Sequence, residues 1–171
     1  MNRLHLDFES KSAVDIKKVG AIAYARHPST DILCMAFSWN GEPVKLLAKG
    51  EIKPDQFAFG PEDRLIAHNA AFEFSIWNFI MAPRYGWPLL LDPSRWDCTL
   101  SRAAMCNLPL SLNNLGLALN ITAKKDLKGR LAMLKLCKPM SAGLGTGSPI
   151  YYEDEALLNV LYEYCRQFPT G

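Results

Sequence analysis

Asp7 and Glu9 stand two apart in the run Leu4-His5-Leu6-Asp7-Phe8-Glu9, where apolar and polar residues alternate. A period of two is the pattern of a strand, and it puts both carboxylates on one face with their Cα atoms about 6–7 Å apart. Two acids aimed the same way repel each other unless a cation lies between them. All-oxygen ligands of this kind suit Mg²⁺ or Mn²⁺. A solvated strand face fits the same spacing, although Leu4, Leu6 and Phe8 make this a strand of the core.

A second group occupies Ile66-Ala67-His68-Asn69-Ala70-Ala71-Phe72-Glu73. A strand ends there and a helix begins, with Asn69 in position to cap it. Glu73 lies four residues on, on the same helical face. A capping box wants its acid three residues after the cap, where Phe72 stands, so capping leaves Glu73 unexplained. A carboxylate in a first helical turn, beside the end of a strand, is placed to join Asp7 and Glu9.

The third feature is a basic run over 124–138, with six Lys or Arg residues against the single acid Asp126. On a regular helix Lys124, Lys128, Lys135 and Lys138 fall within about an 80° stripe. Such a stripe is either a solvated face or, beside an acidic cleft, the flank that holds the phosphates of a polyanion.

These residues need elements to position them. Strands are expected over 4–8, 20–26, 32–39 and 44–47, joined by short connections that favour antiparallel pairing. A strand over 64–67 then leads into a helix over 70–81, ended by Pro83 and Gly86. A strand over 96–100 leads into a helix over 101–106, and Ser111 caps a short helix carrying Leu112, Leu115 and Leu119. The basic helix covers 126–136 and stops at Pro139. A Gly/Ser-rich connector follows over 140–149, and an amphipathic helix closes the chain over 154–167. Strands first, then strand–helix alternation, predict a layered α/β or α+β domain with a mixed sheet.

The 171 residues amount to one domain, and 49% hydrophobic with 21% charged residues excludes disorder. The net charge of +2 favours no partner class. Five cysteines without a C-x-x-C pair exclude zinc ribbons and thioredoxin-like motifs and predict reduced, inert thiols of an intracellular protein. The glycines at 143, 145 and 147 lack the Lys-Ser/Thr of a P-loop. No signal-peptide core follows Met1, and the apolar stretch 74–82 is far short of the ~20 residues that span a bilayer. The expectation is a cytoplasmic chain with no membrane partner.

Leu6-Asp7-Phe8-Glu9 and His68-Asn69-Ala70-Ala71-Phe72-Glu73 resemble the first two exonuclease motifs of the DEDD superfamily. The closest similarity is to the 3′–5′ proofreading domain of phage-type family A DNA polymerases. It extends through Trp96-Asp97-Cys98-Thr99, Ser111-Leu112-Asn113-Asn114-Leu115 and the 124–139 segment to Leu161-Tyr162-Glu163-Tyr164-Cys165, and so over nearly the whole chain. Most relatives have Asp where this chain has Glu73. The third motif, Y-x-x-x-D, begins with Tyr164 but finds Phe168 in place of its acid, so the fourth carboxylate is missing.

The resemblance implies a ribonuclease H-like α/β fold: a mixed five-stranded sheet, its first three strands antiparallel, flanked by helices. It implies a metal-dependent 3′–5′ exonuclease that hydrolyses single-stranded DNA 3′ ends to nucleoside monophosphates with two Mg²⁺ or Mn²⁺ ions. Asp7 would bridge both ions, Glu9 would bind the water-activating one and Glu73 the second, while Tyr164 would orient the water. Asn69 and Phe72 would contact the terminal nucleotide, with His68 touching substrate and Asp97 in support. Lys124, Lys128 and Lys135 would hold the upstream backbone. A polymerase domain or subunit is the implied partner, in a bacterial or phage-infected cell. Two alternatives stay open: a non-catalytic DNA-binding module without the fourth ligand, and an exoribonuclease of the same superfamily.

Overall fold

A computed structural model describes residues 1–54, 56–121, 126–140 and 149–167. The expected first strand is β1 (Arg3–Lys11), with Leu4, Leu6, Phe8 and Ser10 buried and His5, Asp7 and Glu9 on the alternate face. It pairs antiparallel with β2 (Asp31–Trp39), and β2 pairs antiparallel with β3 (Lys45–Ala48). On its other side β1 pairs in parallel with β4 (Arg64–Ala67), which pairs in parallel with β5 (Trp96–Cys98). The order β3-β2-β1-β4-β5 makes a mixed five-stranded sheet with β1 at its centre. The fold is α/β, in the arrangement expected of a ribonuclease H-like domain.

Helices cover both faces. On one side α1 (Ile16–Arg26) and α2 (Ala71–Ile76) close over a core built from Leu6, Phe8, Met35, Trp77 and Ile80. Trp77 is fully buried among Phe57, Trp87 and Trp96, and its removal would cost about 3–5 kcal/mol. On the other side α6 (Leu127–Leu136) and α7 (Glu155–Arg166) pack Leu136, Leu161 and Cys165 against Leu33, Cys34 and Ala36 of β2. Two short helices, α4 (Thr99–Met105) and α5 (Leu112–Ala118), follow β5. No helix among the described residues is long and apolar enough to cross a membrane.

Three sequence expectations are corrected. The segment 20–26 is helical, the second half of α1, and not a strand; its alternating alanines favour a helix. Gly20 interrupts that helix at φ 79°, a backbone conformation that suits a residue without Cβ. Asn69 does not cap α2: it sits at φ 68°, turning the chain sharply off β4, and Ala70 holds the cap position without a side-chain bond. Pro83 does not end its helix. A wide turn over Trp77–Met81, in which the Ala82 N–H reaches back to the Trp77 carbonyl, is followed by α3 (Ala82–Tyr85). The widened turn accommodates a ring that lacks an N–H, and only Gly86, at φ 67°, stops the helix. The cap at Ser111 is as the sequence suggests, and Asp126 and Asp154 cap α6 and α7 in the same way. Most of the connector over 140–149 lies outside the described residues.

Candidate functional site

Parallel strands β1, β4 and β5 send their carboxyl ends to one edge of the sheet, where ligands of α/β folds bind. A pocket of about 660 Å³ opens there. Its floor is the polar face of β1, with His5, Asp7 and Glu9 in a row. Thr99 and Arg102 of α4 form one wall, and Leu112, Leu115 and Leu119 of the α5 segment form an apolar one. Arg130 of α6 and Tyr164 of α7 face them.

Glu73, in the first turn of α2, is outside the lining of this pocket. It is 2% exposed, and its Oε2 is the only buried side-chain oxygen or nitrogen among the described residues without a hydrogen-bond partner. An orphaned carboxylate oxygen in a core costs free energy unless a proton or a cation meets it. Burial, together with the charge of Asp7, holds the Glu73 carboxyl well above the usual range. Burial alone pushes Asp7 up to about 6, and burial with the charge of Asp7 pushes Glu9 up to about 8. The three acids therefore sense one another's charge. Glu9 and Asp7, which line the same pocket as Tyr164, also help burial raise the Tyr164 phenol.

The donor set fits a hard divalent cation: only oxygens, mutual repulsion to relieve and one oxygen without a partner. Among the described residues, however, no group of three His, Cys, Asp or Glu stands close enough to hold an ion as it is. Asp7 and Glu9 line the pocket while Glu73 is buried and outside the lining.

The other expected site residues divide. His68 lines the pocket, but both ring nitrogens are engaged: Nε2–H donates to the Leu110 carbonyl at 2.9 Å and Nδ1 meets the Thr99 hydroxyl at 3.0 Å. It braces the β4–α2 turn against the pocket wall. Asn69 is exposed and outside the lining. Phe72 is half-buried, its ring 6.1 Å from that of Tyr24, and belongs to the core packing. Asp97 is outside the lining too and holds Arg102 at 2.9 Å. Lys128 and Lys135 of α6 are exposed and outside the lining, with Lys135 4.5 Å over the Tyr152 ring. Lys124 and Phe168 lie outside the described residues.

Sequence reasoning missed Arg102, Arg130 and Gly129. Among the described residues Arg130 makes no ion pair, which leaves its guanidinium open to an anion in the pocket. The signal for Gly129 was present: a glycine inside a helix costs roughly 1 kcal/mol against alanine and asks for a packing reason.

No description of a known protein family matches the chain. Over 151 residues it is 32% identical to a DNA polymerase of Bacillus phage SP02. The chain is similar to part of that phage polymerase. The aligned stretch takes in 83% of this chain and 22% of that polymerase, so the chain spans about a fifth of its relative's length.

Proposed function

We propose that the chain is a metal-dependent 3′–5′ exonuclease domain of the proofreading type, acting on single-stranded DNA 3′ ends. The observation that carries this reading is Glu73: a buried carboxylate with an unpartnered oxygen that feels the charges of Asp7 and Glu9, two acids lining a pocket with Tyr164. The relationship to a phage DNA polymerase supports the same reading, since removing a misincorporated 3′ end is a task that accompanies DNA synthesis.

Asp7, Glu9 and Glu73 would hold Mg²⁺ or Mn²⁺. Bound there, the cations would lower the pKa of an attacking water and stabilise the leaving 3′ oxygen. Tyr164 would orient that water by accepting or donating a hydrogen bond through its hydroxyl. Arg130 and Arg102 would hold phosphate, and the leucines of α5 would shield the terminal nucleoside from bulk water. The polymerase that such a domain serves would be its partner, in a bacterial or phage-infected cell.

The test is Mn²⁺-dependent digestion of 3′-labelled single-stranded DNA, with single-stranded RNA beside it. Mononucleotide release that vanishes in Asp7→Ala supports the reading, and release from RNA alone makes the chain an exoribonuclease. Phe168→Asp, which supplies the fourth acid of the motif, should raise the rate by orders of magnitude. If both forms bind DNA and Mn²⁺ yet cleave nothing, the chain is a non-catalytic binding module.

A further inference from the structure

Cys34 on β2 and Cys165 on α7 are 131 positions apart, yet their sulfurs lie 3.7 Å from each other. Both are free thiols and both are buried. Cys34 is the cross-strand partner of Glu9, and Cys165 follows Tyr164 and contributes to the pocket lining. The pair therefore joins the two elements that carry a floor carboxylate and the tyrosine. The other buried residues of their cluster, Leu33, Ala36, Leu136 and Leu161, are apolar, and Cys137 packs against its edge as the one further thiol nearby among the described residues.

We propose that Cys34 and Cys165 are a covalent modification site, which a small two-electron oxidant reaching Cys165 through the pocket converts to a disulfide. With hydrogen peroxide as the oxidant, the Cys165 sulfur takes one oxygen as the O–O bond breaks, and one water leaves. The Cys34 sulfur then displaces the hydroxyl from the Cys165 sulfenic acid. One S–S bond forms, two S–H bonds are lost, and both thiol protons and the two electrons end in two waters. The contact with Cys34, followed by burial, raises the Cys165 thiol far above its ordinary range, so the reaction is slow although the partner is in place.

Drawing the sulfurs from 3.7 Å to the bond length of about 2.05 Å pulls α7 onto β2. Tyr164 moves with the helix relative to Glu9. Because a misplacement of about 1 Å at a reacting centre can cost on the order of a hundredfold, the bridge would lower hydrolysis by about tenfold to a hundredfold. That consequence rests on the nuclease reading; the bridge itself does not.

The full chain is treated under native conditions with hydrogen peroxide, and separately with diamide, then alkylated and mapped without reduction. The expected product is a monomer lighter by two hydrogens, with the peptides holding residues 34 and 165 joined and separated again by dithiothreitol. Recovery of both thiols in alkylated form, or a bridge from either one to Cys137, overturns the proposal. Digestion of single-stranded DNA is followed in parallel. A loss on oxidation that dithiothreitol reverses, and that Cys34→Ser abolishes, supports the link to the site, whereas unchanged digestion by the bridged chain overturns it. A bridge in a chain that digests nothing even when reduced leaves the modification site standing and removes the nuclease reading.

Discussion

Gly129 and Tyr164 meet where α6 crosses α7: a Cβ built at 129 would stand 2.4 Å from the Tyr164 Cβ and 2.5 Å from its Cγ. No residue other than glycine fits there without displacing one of the two helices. Gly129→Ala should therefore destabilise the chain by about 1–3 kcal/mol through overpacking. It should also turn Tyr164 away from Glu9 and depress digestion beyond what the stability loss accounts for. Thermal melting and single-stranded DNA digestion below the melting range measure the two effects. An unchanged melting temperature would mean that α6 slides freely over α7.

Glu73→Gln separates folding from metal binding. The neutral amide removes a carboxyl that the core holds well above its usual range. In the absence of metal the variant should melt no lower than the parent at pH 9, where the parent must either keep a proton on Glu73 or bury its charge. Mn²⁺ should bind more weakly to it, because a charged oxygen ligand has become a neutral one. Calorimetric titration with Mn²⁺ and melting with EDTA test both halves. Equal Mn²⁺ heats for the two proteins would remove Glu73 from the metal set.

The acids of the floor also fix a pH dependence. Asp7 and Glu9 ionise near 3.8 and 4.5 in an unfolded chain but near 6 and 8 in the fold, so between those values the native state binds more protons. Their contribution to stability is fully present below about pH 4 and drains away as the pH rises towards 8. With EDTA present the melting temperature should fall across that window. Asp7→Asn with Glu9→Gln should flatten the slope, and Mn²⁺ should restore stability most at the alkaline end.

Arg130 lines the pocket whereas Lys128 and Lys135 do not. Arg130→Ala should weaken binding of short single-stranded DNA and reduce the slope of log K against log[salt] by about 0.7, the share of one phosphate contact. Lys128→Ala with Lys135→Ala should change both quantities less. The reverse ranking in fluorescence anisotropy over a salt series would put the strand on the outer flank of α6.

His68→Ala removes two hydrogen bonds, to Thr99 and to the Leu110 carbonyl. At about 1 kcal/mol each the loss should lower the melting temperature by several degrees. The Michaelis constant should suffer more than the turnover number, because the change loosens a wall and leaves the acids in place.

Much of this was legible along the chain. The period-two run around Asp7 fixed β1 and the common face of its acids, since alternation has one geometric meaning in a strand. Ser111 marked a helix start because a capping side chain bonds a backbone N–H two or three residues ahead, a wholly local event. Glu73 stood out for the complementary reason: no local bond explained it.

Other features needed the folded chain. The segment 20–26 alternates like a strand, and the alternation hid a helix that its alanines favour and its packing beside α2 completes. Lys128 and Lys135 share a stripe in any helix, but which flank of α6 meets the pocket depends on where α7 lies, and the buried side fell to Gly129, Ala132 and Leu136. Arg130 became a lining residue by that rotation alone. Cys34 and Cys165 are 131 residues apart, so no periodicity or spacing links them. Local propensity acts over a few residues through backbone hydrogen bonds and rotamers. Which faces touch is decided by burial summed over the whole domain, and the sequence by itself carries that sum only through the fold.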